Sequence, residues 1–249
     1  MASNPWPFRL YHTFWLALDW LFPPRCVGCG RVGARFCDAC RAAVPRVPEP
    51  RCLRCGNPLP APAADGLCSR CRLHPPAFDV ARAWAPMTGT VRKAVHQLKY
   101  HRDLALAETL AGFLLALVDA LGWRVDVVVP VPLGKARYRA RGYNQAALLA
   151  FPLALGLGVP YEGKALVRVR ETPSQVNLSA EARRRNVAGA FTVVQPQAVA
   201  GRAVLLVDDV MTTGATLDAA ATALKTSGAR QVFAVTVARA VLRGTRLVP

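Results

Sequence analysis

The sequence predicts an α/β domain with a mostly parallel sheet, preceded by a small cysteine-rich module. Three observations carry that expectation. All eight cysteines of the 249-residue chain lie between positions 26 and 71. From residue 78 onward, short β-branched runs alternate with helical periodicity, the pattern of strands joined through helices. The apolar run 203–207 then ends on Asp208-Asp209 and passes through Thr212-Thr213-Gly214-Ala215-Thr216 into a helical segment. Polar groups therefore gather at the carboxyl end of a strand, where such sheets bind ligands.

Composition supports a folded chain. Hydrophobic residues make up 53% and charged residues 19%, enough apolar material to exclude wholesale disorder. The formal charge is +17, so the surface attracts anions. Arginine supplies 27 of the 32 cations and lysine five. With the many Ala, Val and Leu, that skew fits a GC-rich genome, and part of the charge is compositional drift.

Residues 10–22 form an apolar stretch that holds His12 and Asp19, follows Arg9 and stops at Pro23-Pro24. It is shorter than the roughly 20 residues of a bilayer span. We read it as an amphipathic helix with Phe14, Leu18 and Leu21 on one side, packed on the body of the protein rather than anchored in a membrane. No later segment is long and uncharged enough to cross a bilayer. The expectation is a cytoplasmic protein without stable membrane insertion, whose thiols stay reduced.

That compartment bears on the cysteines. They form four CxxC pairs, Cys26/Cys29, Cys37/Cys40, Cys52/Cys55 and Cys68/Cys71. Two residues between thiolates let both sulfurs face one metal, and a second such knuckle completes a tetrahedral Cys₄ zinc site. C-V-G-C-G then C-D-A-C-R is echoed by C-L-R-C-G then C-S-R-C-R, a duplicated unit. Gly30 and Gly56 follow the leading knuckles, where a turn with positive φ favours glycine. We pair 26/29 with 37/40 and 52/55 with 68/71, with a cross-braced alternative open to the sequence. Four thiolates leave no open metal position, so both zincs are expected to be structural. Eight thiolates and two Zn²⁺ would bring the working charge from +17 nearer to +13.

Proline-rich connectors around Pro45, Pro48, Pro50 and 58–62 interrupt the knuckles, and His74-Pro75-Pro76 closes the module. The expected division is a helix in 1–24, a double ribbon in 25–76 and the α/β domain in 77–249. Within that domain, helices are expected at 91–100, 104–121, 144–155 and 215–227. Pro152 should bend or end the third of these. Strands are expected at 125–131, 165–169, 191–194, 203–207 and 231–238; those at 125–131 and 203–207 read as buried on both faces. His96 and His101 fall in or beside the first helix and are read as structural.

The segment 204–217 carries the chemistry. Backbone N–H groups at a helix N-terminus, with the hydroxyls of Thr212, Thr213 and Thr216 and the backbone of Gly214 and Ala215, make a phosphate cradle. Gly214 would let the backbone approach the ligand closely. Carboxylates beside a phosphate repel it unless they serve hydroxyls or a cation. Asp208 and Asp209 therefore suit ribose hydroxyls and positive charge that develops in a reaction.

This segment resembles the phosphoribosyl-pyrophosphate (PRPP) signature of type I phosphoribosyltransferases: four apolar residues, two acids, then T-T-G-x-T. With its Cys₄ ribbons, the chain over residues 20–240 is similar to the ComF/GntX family of competence-associated phosphoribosyltransferase-like proteins. The fold implied is the type I phosphoribosyltransferase-like, mostly parallel sheet with helices on both faces, behind a Cys₄ double zinc ribbon. A second motif agrees, Pro130-Val-Pro-Leu133 followed by Lys135, Arg137, Arg139 and Arg141-Gly-Tyr-Asn-Gln145. The family's loop at this place binds pyrophosphate, which implies Lys135, Arg137 and Arg141 as its ligands; cations without an acid among them suit such a group. A third covers 168–178 and 183–191, with R, T, Q, L, R, N and G-A-F at the family's spacing. It implies a hood that closes over the substrate, with Arg170, Gln175, Arg184 and Asn186.

The chemistry implied is displacement of pyrophosphate from C1 of PRPP by a nitrogen nucleophile of an unidentified acceptor. Asp208 and Asp209 act as the catalytic pair, and Mg²⁺ enters with PRPP. Family membership implies a link to DNA uptake in natural competence. The alternative is a non-catalytic module that binds single-stranded DNA or DNA-uptake proteins. The twin aspartates argue against it for the pocket, because they repel phosphate and DNA lacks the 2′-hydroxyl. Nonspecific, salt-sensitive DNA affinity of the basic surface is expected in either case.

Overall fold

The computed structural model describes residues 11, 13, 23–101, 103–171 and 180–240, the side chains at 180, 181, 183 and 184 excepted. The amphipathic helix expected at 10–22 lies almost wholly outside the described residues, as does Gln175. No helix among the described residues is long and apolar enough to cross a membrane.

Four parallel strands form the central sheet, in the order β1 (Val80–Pro86), β6 (Gln231–Arg239), β5 (Ala203–Met211), β2 (Val127–Pro130). A two-stranded antiparallel ribbon, β3 (Leu166–Arg168) with β4 (Phe191–Val193), stands beside it. Alternate residues of each strand enter opposite cores, as the pleat requires. Leu205 and Val207 of β5, with Val235 and Val237 of β6, face α3 (Gly89–Tyr100), α4 (Leu106–Ala120) and α6 (Gln145–Leu157). Val204 and Leu206, with Val232 and Ala234, face α8 (Ala215–Thr226) and the β3–β4 ribbon.

The helices form because their apolar residues recur at helical spacing. In α3 the buried positions are Val91, Ala94, Val95 and Leu98; in α4 they include Leu106, Leu110, Leu114 and Val118. Each fully buried leucine contributes about 1.5–3 kcal/mol of burial. The Asn144 side chain caps α6 by accepting from Ala146 N at 3.1 Å. Pro152 lies inside α6, which runs on to Gly158 in the left-handed conformation. Of the two outcomes expected at Pro152, a bend or an end, the helix does not end there, because Leu149, Ala150, Leu153 and Ala154 are all fully buried around it and that packing outweighs a cost of about 3 kcal/mol.

Three further differences concern the site. Strand β1 was not expected; Arg82 and four small or proline residues hide its alternation. The basic segment after β2, expected as a loop, is the helix α5 (Lys135–Arg141), ended by Gly142 at φ 87°. Strand β5 does not stop at 207. Its ladder with β6 continues through Asp208 opposite Thr236 and Val210 opposite Ala238.

The cysteine module is built into both cores. Its short helices are α1 (Asp38–Ala42) and α2 (Ser69–Leu73). Val27 and Phe36 of the first half join the core on the α3–α4 side, while Cys52, Cys55 and Cys71 of the second half join the core on the α8 side. The helix α7 (Ala180–Val187) precedes β4.

Candidate functional site

The cysteines fall into two groups, Cys26, Cys29, Cys37, Cys40 and Cys52, Cys55, Cys68, Cys71, each with all sulfurs within 4.8 Å of one another. The sequential pairing is therefore the one adopted. The Cys29–Cys37 and Cys55–Cys68 sulfurs are both 3.7 Å apart. A tetrahedron with metal–sulfur bonds of about 2.3 Å has edges near 3.8 Å, so both donor sets fit zinc. The two halves repeat in backbone as well as sequence. Gly30 N donates to Cys26 O at 2.8 Å and Gly56 N to Cys52 O at 2.9 Å, with φ of 76° and 68°.

A cleft of about 370 Å³ opens at the carboxyl ends of β2 and β5. Asp208, Asp209, Thr212 and Thr216 line it together with Lys99, Arg137, Arg141 and Arg168. Because β5 continues through the acids, neighbouring side chains take opposite sides of the strand. Asp209 lies on the α3 side, where Lys99 Nζ meets its carboxylate at 2.6 Å. Asp208 Oδ1 accepts from Asp209 N at 2.8 Å.

These groups titrate unlike free side chains. Burial, reinforced by the charge of Asp209, pushes the Asp208 carboxyl well above the usual carboxylate range. Burial opposes charge on Asp209 as well, but the Lys99 ammonium outweighs it and holds that carboxyl below its ordinary value. Burial likewise opposes the Lys99 charge, and Asp209 overcomes it in turn, raising the amine. The two acids are thus pushed apart, Asp208 towards its neutral form and Asp209 towards the charged form that pairs with Lys99.

Arg137 and Arg141 are one helical turn apart on α5 and so share a face, while Lys135 and Arg139 point elsewhere and are absent from the cleft lining. Gln145 Oε1 accepts from Arg141 Nη1, and the Arg141 guanidinium lies 5.5 Å from the centre of the Tyr100 ring. The threonine turn is split in its contacts. Thr213, Gly214 and Ala215 border a separate small cavity of about 20 Å³ shared with Cys55, Cys71 and Phe78. Gly214 has φ 84°, and a Cβ there would come within 2.7 Å of Met211 Cε. The positive φ of the turn is what calls for glycine here, and the Met211 methyl fills the space beside it.

Of the hood residues, Arg170 Nη2 donates to Asn186 O at 3.0 Å and to Ala188 O at 2.6 Å, tying the two ends of the 171–186 segment together. Arg184 lies on α7 but its side chain is outside the description. Sequence reasoning missed Lys99, Tyr100 and Arg168 as cleft residues. The one available signal was a lysine kept among arginines, since the chain has only five. His96 and His101 border another surface hollow, with Arg92 and Lys93.

Residues 17–72 match the model of the double zinc ribbon domain, and residues 96–246 match that of the phosphoribosyl transferase domain. DNA utilization protein YhgH of Salmonella typhimurium is 37% identical over 202 residues, 79% of this chain and 87% of its own. Competence protein F of Haemophilus influenzae is 32% identical over 211 residues, 82% and 90% of the two chains. The chain belongs to the ComF family of phosphoribosyltransferase-like proteins. Another ComF relative, competence protein ComFC of Bacillus subtilis, is 26% identical over 201 residues, 78% of this chain and 79% of its own. Among solved structures, a glutamine phosphoribosylpyrophosphate amidotransferase from B. subtilis aligns over 52% of this chain and 26% of that longer one, at 26% identity and a TM-score of 0.36.

Proposed function

We propose that this protein binds PRPP in the cleft and transfers its phosphoribosyl group to a nitrogen nucleophile, in the service of DNA utilisation or uptake as its relatives' names suggest. One observation carries the reading: Asp208, Asp209, Thr212 and Thr216 line the same cleft of about 370 Å³ as Lys99, Arg137, Arg141 and Arg168, so carboxylates, hydroxyls and cations suited to a sugar polyphosphate share one space. The 5′-phosphate takes Thr212 and Thr216, the turn residues that reach the cleft, at the N-terminus of α8, where the helix dipole favours anions. Arg137 and Arg141 take the pyrophosphate as bidentate, always-charged donors. Lys135 serves approach rather than contact. The hood residues Arg170, Gln175, Arg184 and Asn186 close over the ribose.

In the reaction the nucleophile's lone pair forms the C1–N bond while the C1–O bond breaks, its electrons leaving on pyrophosphate and the nitrogen losing a proton. Positive charge that develops on the ribose is met by the carboxyl oxygens of Asp208 and Asp209 in the cleft, so this stabilisation grows towards the transition state. Of carboxylates the described lining offers only Asp208 and Asp209, one already paired to Lys99. That set suits Mg²⁺ held mainly by the ligand's own oxygens and water, where it would neutralise the departing pyrophosphate.

The test is calorimetric titration of PRPP with and without Mg²⁺, on the wild type and on Asp208→Asn/Asp209→Asn. Mg²⁺-dependent binding lost in the variant, with affinity for single-stranded DNA unchanged or tighter, is the expected result. A wild type that does not bind PRPP, or a variant that loses PRPP and DNA together, overturns it.

A further inference from the structure

Arg239, the last residue of β6, is 1% exposed. A buried guanidinium is costly without a partner of opposite charge. Among the described residues no carboxylate pairs with it. Its Nη1 instead donates to Cys55 O at 2.6 Å, and its Nη2 donates to Asn57 Oδ1 at 3.2 Å and lies 3.8 Å from Cys55 Sγ. The opposite charge is the second Cys₄ cluster itself, since four thiolates and one Zn²⁺ leave two negative charges.

The same guanidinium reaches the other way. Nη1 lies 3.1 Å from the Met211 sulfur, and Ala240 N donates to Met211 O at 2.9 Å. Met211 ends β5 immediately before the threonine turn, and its methyl occupies the space that a side chain at Gly214 would need. On the far side of the turn, Ala77 N donates to Asp218 Oδ1 of α8 at 2.7 Å. One end of the turn is thus fastened to the second ribbon, and the other to the residue that leads out of it. The first ribbon touches other parts: Gly28 lies against Thr90 of α3, and Arg35 pairs with Asp103 at 3.6 Å.

We infer that Arg239 and the second Cys₄ site act as positioning groups for the anion-binding turn, so that metal at this site, and not at the first, sets the turn's shape. This rests on the PRPP reading only for what the turn binds, not for the linkage. Metal-bound Cys55 holds Arg239, Arg239 reaches Met211 at the start of the turn, and Thr213, Gly214 and Ala215 of the turn border Cys55 and Cys71 directly. By reciprocity, a ligand on the turn must also strengthen metal retention at the second site.

The linkage is tested on the full chain by amide hydrogen exchange over 211–217, which needs no ligand. Cys68→Ser should lower protection there, Cys37→Ser should not, and Arg239→Lys should lower it while zinc content stays at two per chain. PRPP affinity should fall about tenfold or more in Cys68→Ser and Arg239→Lys and hold in Cys37→Ser. Equal protection over 211–217 in the two cysteine variants overturns the proposal. If Cys68→Ser does not fold, unchanged protection in Arg239→Lys overturns it by itself. Lowered protection in a protein whose wild type does not bind PRPP leaves the linkage standing and removes the function proposed above.

Discussion

Replacing Lys99 with methionine tests the electrostatics of the cleft most directly. At an effective dielectric constant of about 20, unit charges 2.6 Å apart attract by roughly 6 kcal/mol before desolvation is counted. The loss in the variant is smaller, because the stranded Asp209 can escape by taking a proton. From an ordinary value of 3.8, protonation at pH 7 costs about 4 kcal/mol, which sets the scale of the penalty. The expected destabilisation is therefore about 3–4 kcal/mol at pH 7, or about 10 °C in Tm for a chain of this size. The sign of its pH dependence follows. In the wild type, Asp209's lowered value gives stability that is full above 3.8 and lost as pH falls through the folded value. Lys99's raised value gives stability that is full below 10.5 and lost as pH rises through the folded value. At pH 5 the wild-type pair is still intact, but protonating Asp209 in the variant costs only about 2 kcal/mol, so the deficit should fall to roughly that size. Urea denaturation followed by circular dichroism at pH 7 and pH 5 measures both numbers. A deficit under about 0.5 kcal/mol at pH 7, or one that does not shrink at pH 5, refutes the pairing.

Two more expectations concern stability. Asp208→Asn keeps an oxygen to accept from Asp209 N while removing a carboxyl whose folded value is raised. That raised value costs the wild type stability as pH climbs above 3.8 towards the folded value, so thermal melts should show the variant more stable than wild type at pH 8 and equal near pH 4. Gly214→Ala forces a side chain into φ 84° and against Met211, which should cost about 1–3 kcal/mol in denaturant melts and weaken PRPP binding; an unchanged melting midpoint contradicts the role given to this glycine.

Much of this molecule was legible because local chemistry and global fold agree. The CxxC spacing marked all eight ligands, since two intervening residues are what a metal knuckle needs, and the echo favoured the sequential grouping that the structure adopts over the cross-braced one. Val127, Val128 and Val129 read as a buried strand because β-branched residues without polar interruption have no other use. The errors occur where tertiary structure overrides local pattern. Two acids end an apolar run on paper, yet β6 supplies a hydrogen-bonding partner that carries β5 four residues further. Segment 135–141 has no apolar face, so nothing in its pattern announced α5. What organises it is Gly142 at one end and, at the other, Glu171, which accepts from Ala136 N at 3.2 Å. Lys99 joined the site through a contact 110 positions along the chain, which no local window contains.

The place of the cysteines in the sheet explains why a module so distinct in composition is not separate in structure. β1 is an edge strand, and an edge exposes unpaired N–H and C=O groups that invite aggregation. Here the second ribbon covers it. Ala81 N donates to Arg54 O at 2.7 Å, and the Arg82 side chain donates to Leu53 O at 2.9 Å. A four-stranded sheet has little core to spare, and the two halves of the ribbon supply apolar residues to opposite faces of it. An appended domain would need only one contact surface. A clip that closes the edge strand, seals both cores and holds the turn after β5 needs two halves, one for each face, which gives the duplication a physical reason.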